Sequence, residues 1–384
     1  MIYADYNGSA PLCEAVKNHL IQRLQNDGPY ANPNAAHKIG QRVLTNMENS
    51  RAICAKSLGA KYGQVIFNSG STEGIATVFH SILEKAQQRG KDILITSTIE
   101  HSAIINTAEH YRDHHDFELY FIQANKAGIV DLEQLEELLE KFGQRVALVS
   151  IMAANNETGV IQPYKKISQI CHNHLVPFFC DTTQIIGKAP FNFKDSEIDY
   201  AVMSGHKIGA MTGTGLIIAK DPTSIRPIII GGGQEKALRG GTQHYLGLET
   251  LAIALGHVEK NFERIEQLKE KRIAFEANMK KKFPKLCIIG EDSPRLATTT
   301  YVSHPGLNGQ SVQIELENHN IFVTTSSACS DGDTSTSKVL KAMGIKDEIG
   351  MGVVRISLGL CARLEAYDEI EEALTKTYEK LMGS

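Results

Sequence analysis

The chain has 384 residues, of which 42% are hydrophobic and 22% charged, with a formal net charge of −4 at pH 7. That is ordinary globular composition, long enough for a large core and more than one lobe. No basic stripe stands out, which argues against direct nucleic-acid binding, and no apolar run reaches the length a membrane helix needs.

In chain order, the N-terminal MIYADYNGSAPL lacks a basic n-region and an apolar h-region, so no secretory signal is expected. QVIFNSGS then leads into EGIATVFHSILEKAQQ, a strand, a turn and a helix. KDILITS, FELYFIQ, RVALVSIMAANN, VPFFCDTT, IDYAVMSG and GTGLIIAK read as further short buried strands, mostly separated by helical patterns. Near-continuous apolar runs interleaved with helices predict an α/β fold, with a mostly parallel sheet covered on both faces. A long helical region over Glu249–Phe283 is expected to bridge to a smaller α+β lobe. That lobe holds LATTTYVS, the helix-like GQSVQIELENH, IFVTTSS, VVRISLG and a closing helix AYDEIEEALTKTYEKLM.

Several polar groups fall where predicted strands end, the place at which open α/β sheets gather ligands. FNSGSTEG puts small and hydroxylic residues at a helix start, which suits an anion such as phosphate; capping by Ser71 or Thr72 is the alternative. Asp181 ends a wholly apolar strand, where it either meets a ligand's ring nitrogen or caps the next segment. Lys207, in VMSGHKIG, follows a buried strand and a turn; a partly buried lysine can form a Schiff base. Together these are the parts needed to hold pyridoxal phosphate. His101, in STIEHSAI, adds an imidazole that could stack on a planar ring and move protons. Arg355 sits mid-strand in VVRISLG, a setting in which arginine usually holds a carboxylate, a substrate's or the protein's own.

Seven cysteines, an odd number without close pairing, point away from a disulfide framework and toward a reducing cytosol. No CxxC occurs, so no structural zinc is expected. His110, His114 and His115, in HYRDHHDFE, read as a solvated connection rather than a metal cluster. Six of the cysteines, Cys13, Cys54, Cys171, Cys180, Cys287 and Cys361, read as packing residues. The seventh, Cys329, lies among hydroxyls, acids and a glycine in TTSSACSDGD, a poor place for a structural thiol.

From end to end the chain resembles the cysteine desulfurases, members of the class V aminotransferase-like group of fold-type-I pyridoxal-phosphate enzymes. YADYNGSAPL resembles the family's opening YLDYNATTP, and ANPNAAHKIGQ its GNPSSxHxxG. FNSGSTEG, STIEHSAI, IMAANNETGVIQP, CDTTQIIGKAPFN, SGHKIGAMTGTG, GGGQEKALRGGT and TTSSACSDGD match further family motifs in order.

The resemblance implies that Lys207 holds the cofactor covalently and moves the substrate's Cα proton, and that Asp181 keeps the pyridine nitrogen protonated. It implies that Gln184 and Asn156 bond ring atoms, that His101 stacks on the ring, and that Ser71, Thr72, Ser204 and His206 hold the phosphate. Thr242 would reach the phosphate of a neighbouring subunit, making a homodimer part of the expectation, and Arg355 would clamp the substrate carboxylate. Cys329 would take sulfur from L-cysteine as a persulfide, release L-alanine, and deliver the sulfur to an acceptor protein of an iron–sulfur or thiolation pathway. No resident metal is implied, although Cys329 is a candidate transient iron–sulfur ligand. The expected division is a large cofactor-binding unit over 12–255 and a small unit of 1–11 and 256–384, which carries the cysteine loop at about 324–337.

The chain departs from the family pattern at Ala210-Met211-Thr212, at Gly8-Ser9-Ala10 near the substrate site, at Ser326, and in the extra acids Asp331 and Asp333. A selenocysteine lyase or aminotransferase-like activity on the same cofactor, and a non-catalytic relative, are the competing readings.

Overall fold

The structure, a computed structural model, describes residues 1–25, 28, 30–325 and 335–383. The N-terminal β1 (Ile2–Tyr3) is followed by seven strands that build one sheet. These are β2 (Val65–Asn68), β3 (Ile93–Ser97), β4 (Glu118–Ile122), β5 (Val146–Ser150), β6 (Phe178–Asp181), β7 (Tyr200–Ser204) and β8 (Gly215–Ala219). Their spatial order is β2-β8-β7-β6-β5-β3-β4, parallel except where β8 runs against both β7 and β2.

All seven predicted strands therefore form, and the reason lies in their side chains. Six are buried along their whole length, as continuous apolar runs require, whereas β4 at the sheet edge is partly exposed. The two-residue repeat sends neighbours to opposite cores. Val65 and Phe67 join one hydrophobic cluster while Ile66 joins another, and Phe178 and Cys180 are separated from Phe179 in the same way. Helices cover both faces, among them Ser71–Gln87 and Tyr245–Lys260.

Past Phe283 the chain forms β9 (Cys287–Ile288), β10 (Thr299–Ser303), β11 (Ile321–Phe322), β12 (Thr324–Thr325) and β13 (Val353–Ser357). Four of them make an antiparallel sheet in the order β12-β13-β10-β9. The N-terminus returns to this region: Ile2 pairs with Ile321, and Asp5 bridges to Ser357. A separate hydrophobic cluster unites Ile2, Ala4 and Tyr6 with Phe275, Val354, Tyr367 and Tyr378.

Two expectations are corrected. The bridging helical region is two helices, Tyr245–Lys260 and Phe262–Lys282, interrupted at Asn261, whose backbone stands at φ −121° and ψ 19°. The Asn261 amide donates to the His257 carbonyl at 2.8 Å, local competition for a helical acceptor that favours a break. His110 and His114 belong to the helix Ser102–His114, which His115 caps, rather than to a connecting loop. Among the described residues no group of acids, cysteines and histidines is arranged to hold a metal. None of the described helices is long and apolar enough to cross a membrane.

Candidate active site

A cavity of about 440 Å³ opens at the carboxyl ends of β3, β5, β6 and β7, bounded on its far side by the N-terminal segment and β13. Ten of the residues singled out in the sequence line it: Ser71, Thr72, His101, Asn156, Asp181, Gln184, Ser204, His206, Lys207 and Arg355. Thr242 does not; it is exposed and lies outside this chain's cavity. Cys329 falls outside the described residues, but Thr324, five positions earlier, lines the cavity.

The anion cradle is the start of the 17-residue helix Ser71–Gln87. Its N-cap is Gly70, not Ser71 or Thr72 as the capping alternative supposed; glycine has no side chain to cap the first turn, where only the Ser71 N–H is taken, by Ser204 Oγ, among the bonds described. Free N–H groups and the positive end of the helix dipole are thus left for a ligand. Gly70 at φ 150° occupies a conformation open to glycine, and a Cβ there would stand 3.2 Å from Ser204 Oγ.

Three hydroxyls then connect the cradle to Asp181. The Ser71 N–H donates to Ser204 Oγ at 2.8 Å, and Ser204 donates its own proton to Ser71 Oγ at 2.9 Å. Ser71 Oγ lies 2.6 Å from Thr183 Oγ1, which donates to Asp181 Oδ1. Each hydroxyl has one proton to give, so the series runs in one direction and ends on the carboxylate. The Thr183 N–H also donates to Asp181 Oδ1, at 2.9 Å. Asp181 Oδ2 accepts no hydrogen bond among the described residues, so one oxygen of a buried carboxylate is left for a donor in the cavity.

Asn7 is the hub of the opposite wall, and the site reading of the sequence did not single it out. Its carbonyl accepts from Lys207 Nζ at 2.8 Å and from Gln184 Nε2 at 3.0 Å. Its side-chain oxygen accepts from Lys188 Nζ at 2.8 Å, and its amide donates to the Asn156 carbonyl at 3.1 Å. Lys207 Nζ donates also to the Gly8 carbonyl, at 2.6 Å. Lys188 is buried, and burial, with Lys207 and Arg355 as like-charged neighbours, drives its pKa well below the ordinary lysine value. Its ammonium also donates to Gln184 Oε1, which fixes the orientation of that amide.

His101 is the N-cap of the helix Ser102–His114, and its Nδ1 accepts the Ala103 N–H at 3.1 Å. In the neutral ring the proton therefore sits on Nε2. The residue has an open face on the cavity, yet enough protein surrounds the ring for desolvation to lower its pKa. Asp181 opposes that shift and Lys207 adds to it. His206 is likewise held neutral, lowered to about 4 by burial and then by the charges of Lys207 and Lys188. Its Nδ1 lies 3.1 Å from Ser9 Oγ.

Glu100, beside His101, is a second residue the sequence reading missed. Burial raises its pKa to about 8 against the opposing bonds from Ser97 and Met152. The Ser97 hydroxyl and the Met152 N–H donate to Oε1 at 2.6 and 3.0 Å, tying the end of β3 to the end of β5. A glutamate preceding the histidine was visible in STIEHSAI, but nothing local marks it as buried.

Arg355 projects from the middle of β13, between Tyr301 and Thr324 on the flanking strands. Its Nη1 donates to the Asn156 carbonyl at 3.0 Å and its Nη2 to Asp5 Oδ1 at 2.5 Å. Nε is buried with no hydrogen-bond partner among the described residues.

The residues present fit pyridoxal phosphate. The uncapped helix start suits the phosphate, the free oxygen of Asp181 suits a protonated ring nitrogen, and the amine of Lys207 suits the aldehyde. Of the six described cysteines, Cys13, Cys54, Cys171 and Cys180 are buried thiols and Cys287 is partly buried; burial pushes Cys54 up to about 12 and Cys180 well above the ordinary thiol value. Cys361 is exposed, so it is not the packing residue expected.

The chain belongs to the class-V aminotransferase family, a family of pyridoxal-phosphate enzymes, which residues 2–370 match. It is 30% identical to a cysteine desulfurase IscS of Dictyoglomus turgidum, covering 99% of this chain and 95% of that protein. With an IscS of Histophilus somni it shares 31% identity over 99% of this chain and 93% of the relative. Among solved structures, a NifS-like protein superimposes with a TM-score of 0.90 at 31% identity, covering 100% of both chains. SspA, solved in complex with cysteine, gives a TM-score of 0.80 at 28% identity, over 93% of this chain and 99% of SspA.

Proposed function

We propose that the chain is a pyridoxal-phosphate-dependent cysteine desulfurase, converting L-cysteine to L-alanine and taking the sulfur onto Cys329. The observation that carries this reading is the convergence on one cavity of an amine, a half-free carboxylate, a guanidinium with a vacant N–H and an uncapped helix start. The desulfurases among its relatives set the reaction class.

When bound, the cofactor supplies an electron sink that labilises the substrate's Cα–H bond and then its Cβ–S bond. The chain's own groups do the rest. Ser71, Thr72, Ser204 and His206 would hold the phosphate, the Ser71 and Ser204 hydroxyls turning from the Asp181 series to do so, and the free oxygen of Asp181 would accept the ring N–H. Gln184, oriented by Lys188, presents its amide N–H toward ring oxygen. Arg355 holds the substrate carboxylate, aided by Asn156. Lys207, on a flexible four-carbon stem anchored by the Asn7 and Gly8 carbonyls, takes the Cα proton and returns one to Cβ. His101, whose Nδ1 is held by the Ala103 N–H, would move protons at the sulfur through Nε2.

The Cys329 thiolate attacks the substrate sulfur as the Cβ–S bond breaks, so that cysteine and one enzyme thiol become alanine and one enzyme persulfide. Thr324, five positions before Cys329, lines the cavity, and five residues of extended chain span up to about 17 Å, which supports this role for Cys329. Thr242, exposed outside this cavity, would serve the phosphate of a partner subunit in a homodimer. The persulfide would pass to an acceptor protein of iron–sulfur assembly or thiolation. The separate core that joins the N-terminal segment to Phe275 and Tyr378 supports a division into 12–255 and a small unit of 1–11 with 256–384.

The test is to incubate the cofactor-loaded protein with L-cysteine and assay alanine and reducible sulfide in equal amounts. A strong preference for selenocysteine, or turnover of a keto acid without sulfide, would replace this reading.

A further inference from the structure

Arg355 reaches the cavity already engaged to a carboxylate of its own chain. Its side chain is 6% exposed, and Asp5, which also lines the cavity, is 24% exposed. Of the guanidinium's three nitrogens, Nη1 is committed to the Asn156 carbonyl and Nη2 to Asp5, and Nε has no partner among the described residues. An incoming carboxylate binds a guanidinium best through two adjacent N–H groups. The edge that pairs the vacant Nε with a second donor is Nε/Nη2, and Asp5 holds half of it. Two carboxylates on one buried guanidinium repel, so the acid with more exposure is the one with room to leave.

Gly8 is what lets Asp5 take this position. A Cβ on Gly8 would lie 2.4 Å from Asp5 Oδ2 and 2.9 Å from Asp5 Cγ. The Gly8 backbone is not in the left-handed region, so an alanine suits its conformation and only the Asp5 carboxylate stands in the way. The family's opening pattern carries alanine here, and this chain's glycine removes the methyl that would push Asp5 aside.

We propose that Asp5 is a built-in stand-in for the substrate carboxylate, admitted by Gly8, which occupies Arg355 in the empty site and turns away when an α-carboxylate binds. This rests on the reading of Arg355 as the substrate clamp. The stand-in neutralises a guanidinium that would otherwise be buried unpaired, and it makes an arriving ligand compete for its place. It therefore penalises ligands that lack a carboxylate strong enough to displace it. A site covered about nine-tenths of the time loses about tenfold in apparent affinity.

Calorimetric titration of L-alanine into the cofactor-loaded wild type, Asp5→Asn and Gly8→Ala proteins tests it. Both variants should bind alanine about tenfold more tightly, with no matching gain for alanine methyl ester, which has no carboxylate anion. Gly8→Ala keeps Asp5 itself, so it carries the test if Asp5→Asn fails to fold. Equal or weaker alanine binding by the folded variants, including none at all, would mean Asp5 braces Arg355 and would overturn the proposal. Tighter alanine binding without any cysteine turnover would leave the stand-in in place and remove the desulfurase reading instead.

Discussion

Arg51 and Arg355 are buried alike, with side chains 7% and 6% exposed, but their hydrogen bonding differs completely. Arg51 spends every nitrogen: Nε and Nη2 on Glu48, Nη1 and Nη2 on Glu235, and Nη1 also on the Val65 carbonyl. Its guanidinium also lies 4.4 Å from the centre of the Phe67 ring. Burial opposes its charge, but the bonds from Glu235 and Glu48 outweigh that and raise its pKa. Among the described residues Arg355 has one carboxylate, one carbonyl and a buried N–H with no partner. A saturated guanidinium is a structural pin, whereas an unsaturated one beside a cavity is a receptor. The two lysines on Asn7 differ in the same sense, because Lys188 is enclosed and only Lys207 lines the cavity.

The largest expected effect tests the lysine half of that contrast. Lys207→Ala should lower alanine formation from L-cysteine by about 10³-fold or more, with loss of borohydride-trappable cofactor. Retention of either would show that the cavity amine is not the working one. Next, Arg355→Lys should reduce kcat/KM for cysteine by about 10²-fold, since a point charge cannot replace a fork whose N–H groups hold a carboxylate. Arg51→Lys should leave KM alone and instead cost about 3 kcal/mol in chemical denaturation, the usual penalty for breaking a buried pair. If both substitutions act on KM, or both only on stability, the saturation argument fails.

Six strands of the main sheet were legible because each is an apolar run buried on both faces, which leaves little else to decide, and the partly exposed edge strand β4 because its run is apolar and β-branched or aromatic at most positions. Lys207, Asp181 and His101 were legible because each sits just past such a run. Asn261 was not, because one asparagine inside a helical pattern does not announce that its amide will take the His257 carbonyl. Nor was the pairing of Asp5 with Arg355, which are 350 residues apart and meet only because the N-terminal segment lies against β13. The role of Asn7 was hidden for the same reason: its partners come from 149 to 350 positions away. The expectation for the cysteine loop falls mostly on residues 326–334, outside those described.

A further effect concerns Glu100, whose carboxyl is buried with one oxygen unpartnered among the described residues. Its pKa is about 8 in the fold against an ordinary 4.5, so the folded protein keeps a proton that the unfolded chain has released between those values. Stability from this group is therefore fully present below about pH 4.5 and lost as pH rises to 8, by at most about 1.4 kcal/mol per pH unit. Glu100→Gln, always neutral, should melt closer to wild type at pH 5 and above it at pH 8. A gap independent of pH would mean that Glu100 is ionised in the fold.

The fate of the substrate sulfur distinguishes a desulfurase from every other use of this site. The direct measurement is one turnover of cofactor-loaded protein with L-cysteine, reading alanine in solution and added sulfur on the protein by intact mass. The prediction is one alanine and one sulfur atom per chain for the wild type, the sulfur mapping to Cys329, and neither for Cys329→Ser with cofactor still bound. Undiminished alanine from Cys329→Ser would contradict it.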